Sequence, residues 1–283
     1  MGFHNERKLG TAGKREEART VVRVLGTNSV PLLLDWLRQE DKVSLKERYN
    51  TWHAKIITTL QKYGIVKNPT ITYLQVNNPS HRAMAMYALP ELDHAAKQTA
   101  IPALIQMLAE KELKTGEVTV TAGVAGMTLA KMTPESIAPL TTALSSKDHQ
   151  TRLLAAWALG EIGPDARTAI PFLKSGLDDK DPLVRVTFAE AIGKLGAEPS
   201  LFLPTIVRAL PVLSNDSLSH ALEVLGQYKE HAKGAVPVLM EILSTKTQHA
   251  TNLNEAYICS DLTNTIQRID GSVLSPLMLD EAK

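Results

Sequence analysis

Cysteine, aromatic side chains and net charge are all scarce in this chain, and each shortage closes off a class of protein. Cys259 is the single cysteine among 283 residues, so no disulfide can form within the chain and a cysteine-rich zinc site is excluded. Its neighbours Tyr257, Ile258 and Leu262 point to a buried small hydrophobe more than to a reactive thiol. Lys and Arg total 31 against 30 Asp and Glu, a formal charge of +1. That balance lacks the basic excess with which nucleic-acid binders neutralise phosphates. Residues 1–66 hold twelve basic and seven acidic side chains, a mild bias that reads as solvated surface. No stretch approaches the ~20 apolar residues needed to span a bilayer. The opening residues are charged and lack the apolar run of a signal peptide, and Glu6 stands where a myristoylation site needs Ser or Thr. As written, the chain reads as cytoplasmic. Aromatics make up only 5% while Ala and Leu abound, which favours helices over sheets and an all-α class.

Recognisable catalytic motifs are missing too. There is no Gly-x-Ser-x-Gly elbow, no phosphate-cradling Gly-rich loop and no Gly-x-Gly-x-x-Gly. The eight histidines never fall as an i, i+4 pair around a glutamate, and Asp178-Asp179-Lys180-Asp181 lacks the spacing and glycine of a calcium loop. Asp181, with Pro182 behind it, reads instead as the cap of the next helix. The expectation is a protein that is not an enzyme and carries no cofactor or metal.

What the sequence does contain is a repeat. Pro31, Pro102, Pro139, Pro171, Pro204, Pro237 and Pro276 sit in similar apolar company. From Pro139 to Pro237 the spacing is nearly constant; it is slightly wider on either side and roughly doubled between Pro31 and Pro102. A fixed period of this kind, within the span of roughly 20–50 residues typical of repeat proteins, marks a stacked helical array. Proline suits the first turn of a helix, where its missing N–H would have had no partner, so each proline is expected to head a helix. Before each lies another helix with apolar residues three and four apart. Thr151 to Gly163 aligns with Val184 to Gly196 one period on, and Leu225-Gly226 continues the series. The trailing Gly163 and Gly196 end their helices in a conformation that glycine adopts cheaply.

The spacing predicts helix pairs over 16–25 with 30–39, 80–93 with 97–109, 116–132 with 135–145, 149–162 with 167–178, 182–195 with 200–212, 216–228 with 232–244, and 252–269 with 272–281. A charged segment over 1–15 precedes one repeat domain over 16–283. An insert at 43–79 breaks the period: a long amphipathic helix from about Val43 to Tyr63, then a loop that reads as a cover over the end of the array.

The Asp148-x-x-Thr151-Arg152 and Asp181-x-x-Val184-Arg185 helix starts, the Ala-Leu-Gly-x-Ile-Gly core and the proline-led second helix resemble HEAT repeats. Within that family the chain is similar to the bacterial group of phycobilisome-lyase-type repeats, and Gly26-Thr27-Asn28-Ser29-Val30-Pro31 is similar to the opening of many bacterial HEAT proteins. The resemblance implies a right-handed α-solenoid of about seven helix pairs, with Asp-to-Arg contacts between neighbouring repeats through Asp148, Arg152, Asp181 and Arg185. It also implies export or membrane anchoring if an N-terminal leader has been removed. In that fold the second helices line the concave face, so residues one and four after each proline would form two ridges along a groove. Leu32, Asp35, Gln106, Phe172, Ser175, Thr205, Arg208, Val238 and Glu241 are the candidate protein-binding residues. The function this implies is a non-enzymatic scaffold for another protein or peptide. The alternatives in the same family are a nucleic-acid-binding protein of the DNA glycosylase type and a bilin lyase-like or cofactor-carrying protein. Trp157 and Trp52 fall on apolar stripes, which favours core positions over a base-holding role.

Overall fold

The computed structural model describes residues 30–38, 85–86, 88–110, 120–249 and 253–273. The expected helix at 16–25, the insert at 43–79, the charged start at 1–15 and the Pro276-led helix lie outside the described residues, apart from the first two positions of that last helix. All the described elements are helical. They fall into two compact units, one holding the described residues up to Ile162 and the other those from Gly163 onward.

In the first unit, α1 (Val30–Arg38) buries Val30, Leu33 and Leu37, one helical stripe, and exposes Pro31 and Asp35. Helix α2 (His94–Met107) starts from Asp93, whose carboxylate accepts a 2.9 Å bond from the Ala96 amide. Pro102 is therefore inside this helix, not at its head. The Asp93 cap nucleates the helix upstream, and Pro102 sits on the exposed side, where water can satisfy the carbonyl that the missing N–H leaves behind. Helices α3 (Val120–Lys131), α4 (Ile137–Ala143) and α5 (His149–Ile162) complete the unit. Gly126 on α3 lies under the Trp157 ring of α5: a Cβ there would stand 3.3 Å from the indole. Buried Gln150 donates to the carbonyls of Leu108 (2.7 Å) and Glu110 (2.8 Å), tying the start of α5 to the end of α2.

The second unit shows the period most clearly. Its second helices, α6 (Ile170–Lys174), α8 (Leu203–Ala209) and α10 (Val236–His249), begin at equal intervals, with proline at the second position of each. Between them run α7 (Pro182–Lys194) and α9 (Asn215–Tyr228), with α11 (Leu253–Ile269) after α10. Gly163 and Gly196 take φ of +75° and +81°, and one period further on Lys229 takes φ +44° and ψ −120°. A positive φ thus recurs three times at this period; in the third copy a side chain occupies a conformation that favours glycine.

The Asp-Arg starts hold the turns between repeats. Asp148 accepts from the Thr151 amide and hydroxyl, both at 2.8 Å, and Asp181 from the Leu183 amide at 2.8 Å. Arg152 donates to the carbonyls of Ser146 and Lys147, and Arg185 to those of Asp179 and Lys180. Both arginines thus brace backbone carbonyls of the turn each follows. Asp216 lies in the first turn of α9, which is capped instead by Ser214.

A charged cluster joins α7 to α9. Glu190, with its side chain 13% exposed, receives Lys194 Nζ at 2.7 Å and His220 Nε2 at 2.9 Å. Burial pushes this carboxyl up, but the hydrogen bonds and positive charge of His220 and Lys194 outweigh it and lower the pKa to about 2.

Both the reversal and the cluster can be tested by unfolding. Lys229→Gly should relieve the strained reversal and raise stability by about 0.5–1 kcal/mol, read as a higher urea midpoint; an unchanged or lower midpoint would contradict the strain. Glu190 titrates near 4.5 when unfolded and near 2 when folded, so its stabilisation is full above about pH 4.5 and fades as pH falls toward 2. The stability gap between wild type and Glu190→Gln should therefore be largest above about pH 4.5 and shrink as pH falls through that window, as measured by urea unfolding at several pH values.

Candidate interaction surface

The proline-led helices of the second unit present a repeated pattern to solvent. In α8, Leu203, Thr205, Ile206 and Ala209 are buried, while Pro204 and Arg208 are exposed at i and i+4, followed by exposed Pro211 in the turn after the helix. The register is set one residue earlier. Phe202 is fully buried and meets Tyr228 edge to face, with ring centroids 5.0 Å apart at 69°. Both rings rest on Gly193 of α7, where an added Cβ would come within 2.8 Å of Phe202 Cζ and would overlap the Tyr228 hydroxyl. Burial, with the negative charge of Glu190 adding to it, holds that hydroxyl above its usual pKa.

From these two anchored rings the chain builds opposite walls of one cavity. Phe202 leads into α8; Tyr228 leads into the 3-10 segment Lys229–Ala235 and then α10. The space between them is about 470 Å³, floored by Leu203, Val207, Ala232, Ala235 and Val238 and rimmed by Pro199, Pro204 and Pro211. Its polar contributors are Ser200, Arg208 and His231. Arg208 reaches back to the turn after α6, donating to Asp178 Oδ1 at 2.9 Å and to the Leu177 carbonyl at 3.3 Å. The two charged side chains are 61% and 83% exposed, so this ion pair contributes only about 0–1 kcal/mol.

Among the residues expected to bind, Arg208 and Val238 are brought together on this cavity. Phe172 is 57% exposed on α6 but does not line it. Ser175 is exposed, with its hydroxyl donating to the Phe172 carbonyl at 2.7 Å, and Glu241 is exposed on α10 beyond the lining. Thr205 is a correction: it is 6% exposed and faces the core. In a short helix anchored by Phe202, the position after the proline turns inward with Leu203 and Ile206. In the first unit Asp35 and Gln106 are exposed on α1 and α2; Leu32 falls in α1, but its side chain is outside what is described. Counting from the helix prolines missed Pro199, Pro211 and His231, which belong to turns. The close succession of Pro199, Pro204 and Pro211 was the available signal.

Elsewhere, Trp157 is half-buried over Gly126, and Cys259 is half-buried with its sulfur 3.9 Å from the Thr247 hydroxyl. Among the described residues no group of His, Cys, Asp and Glu is arranged to hold a metal ion, and no helix is long and apolar enough to cross a membrane.

Residues 137–214, from α4 through α8 and the turn beyond it, match the family model for HEAT repeats. No curated protein sequence matches the chain.

If the Gly193 seat sets the spacing of the cavity walls, Gly193→Ala should cost about 1–3 kcal/mol by overpacking. Chemical denaturation checks the loss. A variant as stable as wild type would show that the rings shift freely and do not depend on the glycine.

Proposed function

We propose that the chain is a non-enzymatic helical-repeat scaffold that binds another protein or peptide along its proline-led helices. The observation that carries this reading is the apolar cavity between α8 and α10, in a unit that also exposes Phe172 at 57% and Val212 at 64%. Exposed apolar surface rimmed by polar groups is characteristic of interaction sites. The HEAT-repeat match over 137–214 supports the same reading, because such repeats commonly serve as protein-interaction scaffolds. The proposal extends the pairing within each unit to the whole chain: about seven helix pairs of the bacterial phycobilisome-lyase-like type, in a right-handed solenoid whose second helices face the partner.

Two variants test it. Val238→Asp places a charge in the cavity, and Phe172→Glu does so at an already exposed site where the fold tolerates it. In affinity capture from cell extract, partners held by the wild-type chain should be lost from Val238→Asp and weakened in Phe172→Glu, with unchanged helical circular dichroism. Full retention of every partner by both folded variants would overturn the assignment of binding to this face.

A further inference from the structure

The composition of the cavity narrows its ligand. We infer that the groove between α8 and α10 takes a short aliphatic peptide segment carrying a carboxylate, which exchanges with Asp178 for Arg208. This inference rests on the scaffold reading and specifies its partner. The lining contains Arg208, a permanent cation, beside Ser200 and His231, and no carboxylate. An apolar trough with a cation at its edge complements a chain that is itself apolar with one negative group. The volume of about 470 Å³ lies within the range of roughly 300–1,000 Å³ found for small-ligand sites, enough for a few side chains but not for a folded domain.

The rim argues for side-chain recognition. Pro199, Pro204 and Pro211 offer no backbone N–H, so selectivity falls to shape and to the guanidinium. Arg208 is already held in place: its bonds to the Leu177 carbonyl and Asp178 fix the guanidinium at the mouth of the trough. Asp178 is 83% exposed, so water screens its attraction and a second carboxylate, desolvated against the aliphatic walls, can replace it. Asp178 thereby acts as a built-in competitor, and the Leu177 carbonyl keeps the arginine positioned during the exchange.

The experiment selects a random displayed peptide library on the full chain, then measures the enriched peptides by fluorescence anisotropy against variants. Enriched sequences should combine Leu, Ile, Val or Pro with a nearby Asp, Glu or free C-terminus. Arg208→Gln should weaken them about tenfold, the loss of one charge-assisted bond. Asp178→Asn should tighten them about two- to threefold by removing the competitor. Enriched peptides without an acid, or affinities unmoved by both variants, would overturn the carboxylate inference while Val238→Asp still abolishes binding and upholds the groove. Peptides bound equally well by Val238→Asp would overturn the groove as well. Dodecanoate is the control for another class: its binding with the same response to Arg208→Gln, and no enriched peptide, would overturn the peptide assignment in favour of an amphiphilic acid.

Discussion

Aromatic rings seated on glycine backbone set the spacing between neighbouring helices, and the rest of the structure depends on that spacing. Trp157 lies over Gly126, Phe188 over Gly176, and Phe202 with Tyr228 over Gly193. In each case a methyl group would intrude on the ring or crowd it, so glycine there is a matter of volume and not of backbone freedom. The interiors of close-packed helices respond to single-carbon changes because they hold few voids. At Gly193 the consequence reaches the surface. Phe202 and Tyr228 stand immediately before the two segments that wall the cavity, so the depth of the helix pair determines how far apart α8 and α10 begin.

Close packing through small residues leaves little room for side-chain reach, and the polar groups of the second unit are arranged accordingly. Glu190 is one turn before Lys194 and faces His220 on the next helix, so both carboxylate oxygens are satisfied within the core. Burying a charge this deeply is costly unless it is fully bonded. Its benefit is in registry: a carboxylate that must meet His220 rejects a slip of α9 along α7 that an all-alanine contact would tolerate. Ser219, adjacent to His220, donates to Asp261 on α11 at 3.0 Å and extends the same constraint to the following helix.

Much of the fold was legible in the sequence, and the failures have local causes. The prolines marked the starts of α6, α8 and α10, because proline and the apolar residues after it act within one turn; the expected ranges began three or four residues early, in the 3-10 turns that precede each helix. Gly163 and Gly196 announced their left-handed turns; Lys229 did not, since nothing about lysine signals a positive φ, and only its place one period beyond Gly196 could have done so. Pro102 misled because a strong cap at Asp93 outweighed the preference of proline for a first turn. Thr205 misled because a count from the proline assumes an ideal helix, whereas α8 takes its rotation from Phe202. The cavity was the least legible feature. Two of its three rim prolines come from 3-10 turns, whose residues have no periodicity to read, and its existence depends on two rings brought together from different repeats.

The turns also explain how a cation comes to stand beside an apolar trough in this unit. Each repeat needs its inter-repeat turn held, and Arg152 and Arg185 do this from the first helix by bonding turn carbonyls behind them. Arg208 does the same from the second helix, bonding the Leu177 carbonyl across to the preceding repeat. A brace on the first helix is enclosed by its own turn. A brace on the second helix is exposed, as are Pro204 and Pro211 on either side of Arg208. The same guanidinium that closes the turn therefore lines an apolar trough, held there by a bond that the turn itself requires.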